Sequence, residues 1–298
     1  MKDALTTAGF RAAWRLVRLL PPRLAYGLFD RVADRTVAAG SKDSRRLRDN
    51  YARLHPQLPE AELDALVRAG VRSYLRYWCD AFRLPDLRPE QIRDSVLPLG
   101  DAGPRAALAQ GRGVVMFLGH LGSWDLAGAW STLELAPVTT VAERLRPEEL
   151  YDAFVGFREA LGMRILPLTG GEPPFAELVR VLSDGGFVPL LADRDLTSSG
   201  VTVTLAGQQA QVAAGPAALA LASGAALYPV SITYRPRLAP GGTGSGYDLV
   251  VEWHDEVVPA DGDGVADLTQ RCVDVLAPTL LGRTEEWHMM QRVFVDPS

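Results

Sequence analysis

The chain places a histidine and an aspartate five residues apart, and this pair is its clearest candidate for chemistry. His120 and Asp125 stand in the segment Gly-His-Leu-Gly-Ser-Trp-Asp, residues 119–125. An imidazole can take a proton from an attacking hydroxyl, and a neighbouring carboxylate fixes its tautomer and stabilises the imidazolium. The pair predicts general-base catalysis, with His120 as the base and Asp125 as the group that orients it. A structural histidine is the alternative, because the same spacing also arises by chance.

The pair requires a strand before it and a helix after it. The apolar run 114–118 has the length and composition of a buried strand. Ser123 is a residue type that caps helices, and the apolar segment 126–130 continues as a helix. Residues five apart on one continuous helix would point ~140° from each other, so a glycine-flanked turn must bring Asp125 back toward the ring. Both side chains then lie at the carboxyl end of a strand, where α/β sheets bind ligands.

The remaining pattern predicts an α/β fold with a mixed central sheet flanked by helices. Strands are predicted at 113–118, 136–142, 163–168, 187–192, 226–232 and 247–253. Helices are predicted at 24–37, 59–82, 147–161, 174–184, 215–222 and 266–281. Residues 98–104 are predicted to be a connection, because they contain two prolines and two glycines. We predict two regions: a helical, membrane-associating N-terminal region at 1–98, packed on an α/β catalytic core at 99–298.

Composition excludes several classes of protein. A net charge of −5 argues against general nucleic-acid binding. The two cysteines form no paired motif, and the four histidines are far apart, so no metal site is predicted. No apolar run reaches the ~20 residues that a membrane span needs, and arginines interrupt every apolar run near the N-terminus. These features predict a cytoplasmic protein.

Positive charge is concentrated at the N-terminus. Residues 1–55 carry twelve basic and five acidic side chains, a net +7, which leaves the remainder near −12. Within this segment Phe10, Trp14, Val17 and Leu20 follow a helical spacing between arginines. A basic amphipathic helix of this kind suits the surface of an anionic membrane, and an ordinary packed surface helix is the alternative. The first interpretation predicts peripheral attachment to the cytoplasmic face of the plasma membrane.

Several blocks of the sequence resemble one enzyme family. Residues 119–125 resemble the HxxxxD block of the glycerolipid-type acyltransferases. Further blocks resemble the bacterial lipid A late-acyltransferase branch, and these are 157–163 (FREALGM), 193–196 (DRDL) with 215–217 (GPA), and 286–290 (EWHMM). They span most of the chain in the expected order. The overall resemblance is to the actinobacterial members, which acylate a mannose hydroxyl of phosphatidylinositol mannoside.

This resemblance implies an activity and a set of site residues. It implies transfer of a fatty acyl chain, palmitoyl, from acyl-CoA to that glycolipid, with acyl-CoA as a substrate and no cofactor. His120 would be the base and Asp125 its orienting partner. Asp193 would either pair with His120 or receive a sugar hydroxyl, and Arg158 would bind a donor phosphate or stabilise the oxyanion. A thiolate leaves readily, so no covalent enzyme intermediate is expected.

Three flanking residues and two alternative functions complete the predictions. Glu143, Arg144 and Arg194 are expected to line the cleft, although Arg194 and Asp195 could instead form a structural ion pair. One alternative is an acyltransferase of the same fold that acts on lipid A or another glycolipid, with acyl-carrier protein as a possible donor. The other is a non-catalytic lipid-binding protein, which the presence of both His120 and Asp125 disfavours.

Overall fold

The chain folds as an α/β structure in which helices flank a mixed five-stranded sheet, as the sequence predicts. We describe a computed structural model, over residues 14–144, 148–170, 173–195 and 200–295. The helices are α1 (Pro22–Ala38), α2 (Lys42–Leu54), α3 (Glu60–Arg83), α4 (Pro89–Ser95), α5 (Ala102–Ala109), α6 (Trp124–Glu134), α7 (Glu148–Ala160), α8 (Phe175–Ser183), α9 (Gly215–Ser223) and α10 (Val265–Gly282). The strands are β1 (Val96–Leu99), β2 (Val114–Leu118), β3 (Thr139–Ala142), β4 (Arg164–Pro167), β5 (Phe187–Leu191), β6 (Val201–Leu205), β7 (Gln208–Val212), β8 (Ala226–Pro236) and β9 (Tyr247–Trp253). Short 3-10 turns lie at Leu84–Asp86 and Thr284–Glu286, and residues 14–19 are also helical.

The central sheet brings two distant loops to one edge. Its strand order is β1-β9-β8-β2-β5, with β8 and β9 antiparallel and the other neighbouring pairs parallel. All five residues of β2 are buried, which accounts for its continuous apolar sequence, because helices cover both faces of a parallel sheet. Leu118 at the end of β2 aligns with Leu191 at the end of β5. The loops that follow these two strands therefore leave the sheet side by side.

Two apolar cores lie on the two faces of this sheet. Val115 and Phe117 belong to the core that contains Trp287, whereas Val114 and Met116 belong to the other. This alternation follows from the two-residue period of a strand. Strand β2 is thus held from both sides, and the loop after it starts from a fixed position.

Parts of the fold differ from the sequence prediction. The segment predicted as a connection, 98–104, contributes to strand β1 and helix α5. Pro98 fits in β1 because that strand lies at the end of the sheet and pairs with β9 alone, so the missing N–H breaks no ladder on its outer side. The β6–β7 hairpin forms a separate two-stranded sheet that the sequence analysis did not predict.

The predicted apolar stripe near the N-terminus packs against the protein. Phe10 lies outside the described residues. The Trp14 indole Nε1 donates a 2.9 Å hydrogen bond to the Phe82 carbonyl, and Val17 is only 6% exposed. Leu20 packs on the same cluster. The prediction that this stripe enters a membrane was therefore wrong for the three residues that the structure describes. Within the described ranges, no helix has both the length and the apolar character needed to cross a bilayer.

Candidate active site

The loop after β2 presents His120 at the carboxyl edge of the sheet, and two glycines let it approach its neighbours closely. Gly122 has a positive φ of 55°, and a Cβ there would lie 2.7 Å from the Ile232 carbonyl oxygen. A Cβ on Gly119 would lie 2.2 Å from the Leu121 side chain. A larger residue at position 122 would push this loop away from β8, whereas one at position 119 would displace the Leu121 side chain. The His120 side chain is 15% exposed, so it remains reachable from outside.

Asp193 is the carboxylate that holds the His120 ring. His120 Nδ1 lies 2.6 Å from Asp193 Oδ1, and the His120 backbone N–H donates to Asp193 Oδ2 at 2.8 Å. The Trp287 indole N–H also donates to Oδ2, at 2.7 Å. Asp193 follows β5, the parallel neighbour of β2, which explains how a residue 73 positions downstream reaches the histidine. With Nδ1–H donating to the carboxylate, Nε2 is the nitrogen left to act as a base.

The environment of Asp193 favours its charged form. Burial by itself would raise the pKa of this carboxyl. The attraction of the His120 imidazole and the hydrogen bonds from His120 and Trp287 outweigh that effect, and they hold the pKa below its ordinary value. A carboxylate ionised at neutral pH is what an imidazole needs when it takes up a proton.

Asp125 has a different partner from the one that the spacing predicts. It is 2% exposed, and it accepts hydrogen bonds from Arg158 Nε at 2.6 Å and Arg158 Nη2 at 3.2 Å. The Tyr77 hydroxyl donates a third hydrogen bond to it at 2.9 Å. The prediction that Asp125 orients the imidazole is therefore corrected. Asp193 contacts the ring instead, which is one of the two roles that the family resemblance implied for it, and Asp125 binds an arginine and a tyrosine.

This second carboxylate supports the loop that contains His120, residues 119–123. Asp125 lies in the first turn of α6, and Arg158 in α7 and Tyr77 in α3 tie that turn to two other helices. The Tyr77 ring stacks on Trp124 with centroids 3.8 Å apart, and Trp124 meets the His120 ring edge to face at 5.4 Å. Burial alone would lower the pKa of Arg158, but the Asp125 charge more than reverses this, so the guanidinium stays charged.

The remaining predicted residues divide into two groups. Arg194 is 18% exposed and lies 3.9 Å from Glu143, so these two residues face each other. Its Nη1 atom is buried and has no hydrogen-bond partner among the described residues. Arg144 instead donates to Glu148 and to the Gly170 carbonyl, at 3.0 Å for the latter. The structure thus pairs Arg194 with Glu143, whereas Arg144 binds the start of α7 and the segment after β4.

Sequence reasoning missed three contributors to this site. Trp287 binds Asp193 directly, Tyr77 binds Asp125, and the backbone N–H of His288 donates to the His120 carbonyl at 2.8 Å. Trp287 and His288 lie in one of the blocks that carries the family resemblance, and that block was the available signal. In the described part of the chain, no group of three or more His, Cys, Asp or Glu residues could hold a metal ion.

Comparison with known proteins identifies the family. A family model described as "Bacterial lipid A biosynthesis acyltransferase" matches residues 4–295. The chain belongs to this family. The phosphatidylinositol mannoside acyltransferase of Mycolicibacterium smegmatis is 41% identical over 288 residues, which cover 96% of this chain and 90% of that protein. The protein of the same name from Mycobacterium tuberculosis is 38% identical over 294 residues, covering 96% and 87%. These matches confirm the family that the sequence blocks indicated.

Proposed function

We propose that this protein is a membrane-associated acyltransferase that moves a fatty acyl chain, palmitoyl, from acyl-CoA to a mannose hydroxyl of phosphatidylinositol mannoside. The observation that carries the proposal is the His120–Asp193 pair, with its 2.6 Å contact at the carboxyl edge of the sheet. The names of the relatives support the choice of acceptor.

In the proposed reaction, the acceptor hydroxyl attacks the thioester carbonyl while His120 Nε2 takes its proton. A carbon–oxygen bond forms, and the carbonyl electrons move to the oxygen. When the tetrahedral intermediate collapses, the carbon–sulfur bond breaks and the imidazolium gives its proton to the leaving thiolate. The products are an ester and coenzyme A, and His120 is again neutral. Asp193 stabilises the imidazolium between these steps.

The roles of the other site residues follow from their contacts. Arg158 uses Nε and Nη2 on Asp125, so in this proposal it positions the α6 turn and not a donor phosphate. Arg194 remains the proposed substrate-binding cation, because its buried Nη1 lacks a partner in the described structure. A donor phosphate or an acceptor hydroxyl would satisfy that atom. Glu143, 3.9 Å away, would fix the orientation of this guanidinium.

Membrane attachment is proposed through a face other than the predicted one. Leu16 and Leu19 are 60% and 81% exposed, and Leu24 on α1 is 60% exposed. Exposed arginines lie beside them at Arg15 and Arg23. Apolar side chains among positive charges suit the surface of an anionic leaflet. The acceptor glycolipid could then keep its acyl chains in the membrane while its headgroup reaches His120.

A matrix of donors and acceptors tests the proposal. Phosphatidylinositol mannoside and a lipid A precursor are each incubated with palmitoyl-CoA and with palmitoyl carrier protein, and the acylated product is measured by mass spectrometry. We expect product from the mannoside with palmitoyl-CoA. Product from the lipid A precursor alone would favour the acceptor in the family description, and lipid binding without turnover would leave a non-catalytic protein.

The same reactions, run with EDTA, test the expectation that no metal takes part. Transfer should continue at the same rate, because neither step of the proposed reaction needs a metal. Loss of transfer with EDTA, and its recovery with Mg²⁺ or Zn²⁺, would contradict that expectation.

A further inference from the structure

Four arginines line a cleft near the loop that contains His120. This cleft of about 610 Å³ lies between helix α3, the ends of β8 and β9, and the 3-10 turn at Thr284–Glu286. We name it the arginine cleft after its residues Arg68, Arg72, Arg76 and Arg283. The first three are spaced four residues apart on α3, so they share one helix face. Like charges at this spacing destabilise a helix, so negatively charged groups near the cluster would stabilise it.

Carboxylates of the protein neutralise two of the four arginines. Arg72 binds Asp34 through two hydrogen bonds, at 2.9 and 2.6 Å. Arg283 donates to Glu285 at 2.9 Å and to Glu286 at 3.1 Å. Arg72 thus has one carboxylate partner, and Arg283 has two.

The other two arginines have no carboxylate partner. Within the described ranges, neither Arg68 nor Arg76 forms an ion pair, although Arg68 attracts the Asp34 carboxylate from a distance and Arg76 attracts those of Asp80 and Glu286. The Asp64 carboxylate, which also lines the cleft, instead faces Arg48 at 3.1 Å. Two guanidinium groups therefore have N–H donors that no carboxylate of the described residues accepts from, in a cleft large enough for a small ligand.

Aromatic rings hold one of these guanidinium groups in place. The Arg76 guanidinium carbon lies 3.8 Å from the centre of the Tyr247 ring and 4.9 Å from that of Tyr234. A stacked guanidinium keeps its N–H donors free at its edges, and their fork geometry matches the oxygens of a phosphate. Arg68 is exposed and can add a second set of donors.

We propose that the arginine cleft binds the phosphate group of a phosphate ester through Arg68 and Arg76. Its position connects it with the active site. Ser73 lines the cleft and lies 3.0 Å from His288 Nε2, and the His288 backbone N–H donates to the His120 carbonyl. Given the proposed function, on which this assignment of sources rests, the phosphate belongs either to the coenzyme A donor or to the phosphoinositol of the acceptor.

Calorimetric titration of the full chain tests the site and separates the two sources. The probes are coenzyme A and adenosine 3′,5′-bisphosphate for the donor, and inositol 1-phosphate for the acceptor. Each is titrated into the wild-type protein and into Arg68→Gln, Arg76→Gln and Arg180→Gln variants. Arg180→Gln is the matched control. Arg180 lies on α8 with a side chain that is 62% exposed, and its substitution removes the same charge at a position away from the cleft.

We expect at least one probe to bind about tenfold more weakly to both cleft variants, the effect of one lost charge-assisted hydrogen bond, and normally to the control. The probes that respond identify the source. Equal affinity of every probe for wild type and Arg68→Gln, or no binding of any probe, overturns the site. Arg68 makes no hydrogen bond in the described structure, so the Arg68→Gln variant should fold. It therefore tests the site even if the Arg76→Gln variant, which loses a stacked guanidinium, does not fold. Palmitoyl transfer by the wild-type protein is measured in parallel. It shows whether the proposed function fails independently of phosphate binding in the arginine cleft.

Discussion

At the scale of single residues, the proposed chemistry depends on three donors that converge on one carboxylate. Asp193 accepts hydrogen bonds from His120 Nδ1, from the His120 backbone N–H and from the Trp287 indole. A carboxylate has only acceptors, so it satisfies all three donors. The backbone and indole N–H groups can only donate hydrogen bonds, whereas the imidazole Nδ1 can donate or accept, depending on the tautomer. The charge of Asp193 therefore decides which ring nitrogen carries the proton.

Asp193→Asn should disable the base without removing it. The amide oxygen would accept from the two fixed donors on Oδ2, so its NH₂ group would face His120 Nδ1 and move the ring proton to Nε2. We expect kcat to fall ~10²–10⁴-fold, the range of a lost general base. Steady-state kinetics at several pH values measure this. A kcat within about threefold of wild type would show that Asp193 does not set the tautomer.

The sequence reveals the histidine more readily than its partner. His120 could be predicted because a buried strand, a glycine turn and a helix start surround it within a few residues. The family resemblance offered pairing of Asp193 with His120 as one of two roles, but the local sequence does not predict it. The pairing depends on the alignment of Leu118 with Leu191 between two strands far apart in sequence. Local spacing favoured Asp125, whose actual partner, Arg158, is 33 residues away. Contacts that a parallel sheet creates are not encoded in any local pattern.

At the scale of elements, two buried carboxylates join helices. Asp125 ties α6 to α7 through Arg158 and to α3 through Tyr77. Asp80 on α3 accepts hydrogen bonds from Tyr26 of α1 and Tyr234 of β8. The first junction supports the loop that contains His120, and the second fixes α1 to the sheet. Each junction leads to a separate prediction about the free energy of unfolding.

Breaking the Asp125–Arg158 pair should cost stability as well as activity. Asp125→Asn leaves a mostly buried guanidinium without its counter-charge, and such losses typically cost about 3–5 kcal/mol. The double variant Asp125→Asn/Arg158→Gln should lose less than the sum of the single variants, because no unpaired charge remains. Urea unfolding of all four proteins measures the coupling. Additive losses would mean that the two residues do not act as a pair.

Asp80 should make stability depend on pH in a defined window. Burial raises the pKa of Asp80 to about 6, against weaker opposing effects of the Tyr234 and Tyr26 hydrogen bonds. Between roughly pH 4 and 6 the folded protein holds a proton that the unfolded chain has released, so this group destabilises the fold as the pH rises. Above that window its contribution is constant.

The Asp80→Asn variant should remove this dependence. An amide can accept from one tyrosine and donate to the other, so the junction keeps its hydrogen bonds. Subtracting the unfolding free energies of the two proteins cancels other groups, including Glu286, whose pKa burial raises to about 7. We expect the wild type to lose on the order of 2 kcal/mol relative to the variant from pH 4 to 6. A difference that stays constant with pH would refute the assignment.

Other elements show where sequence patterns suffice. Strand β9 coincides with the predicted 247–253, and α10 lies within one residue of the predicted 266–281 at each end, because their periodicity is long and regular. The β1–α5 segment was missed because its prolines and glycines resemble a loop. The position of Pro98 at the end of the sheet makes that composition compatible with a strand, and sheet order is not visible in the sequence.

At the scale of the whole molecule, charge and exposed leucines define a proposed membrane face. The basic N-terminal segment and the acidic remainder give the chain an uneven charge distribution. Val17 is buried and Trp14 packs against Phe82, so we assign the contact with lipid to Leu16, Leu19 and Leu24. An anionic leaflet would attract this face and repel the rest.

Vesicle flotation tests this orientation. Binding should strengthen with anionic lipid and weaken at high salt. A Leu16→Gln/Leu19→Gln variant should lose most of its binding, whereas Leu238→Gln, a fully exposed leucine elsewhere, should not. Equal binding of all three proteins, or equal binding to neutral and anionic vesicles, would contradict the proposed face.

The role of His120 is tested most directly by the initial rate of palmitoyl transfer by a His120→Ala variant. This rate is compared with that of wild type at saturating palmitoyl-CoA and phosphatidylinositol mannoside. If His120 is the general base, the rate should fall ~10²–10⁴-fold while circular dichroism and the unfolding midpoint stay close to wild type. Transfer by the folded variant within about threefold of the wild-type rate would show that His120 is not the general base.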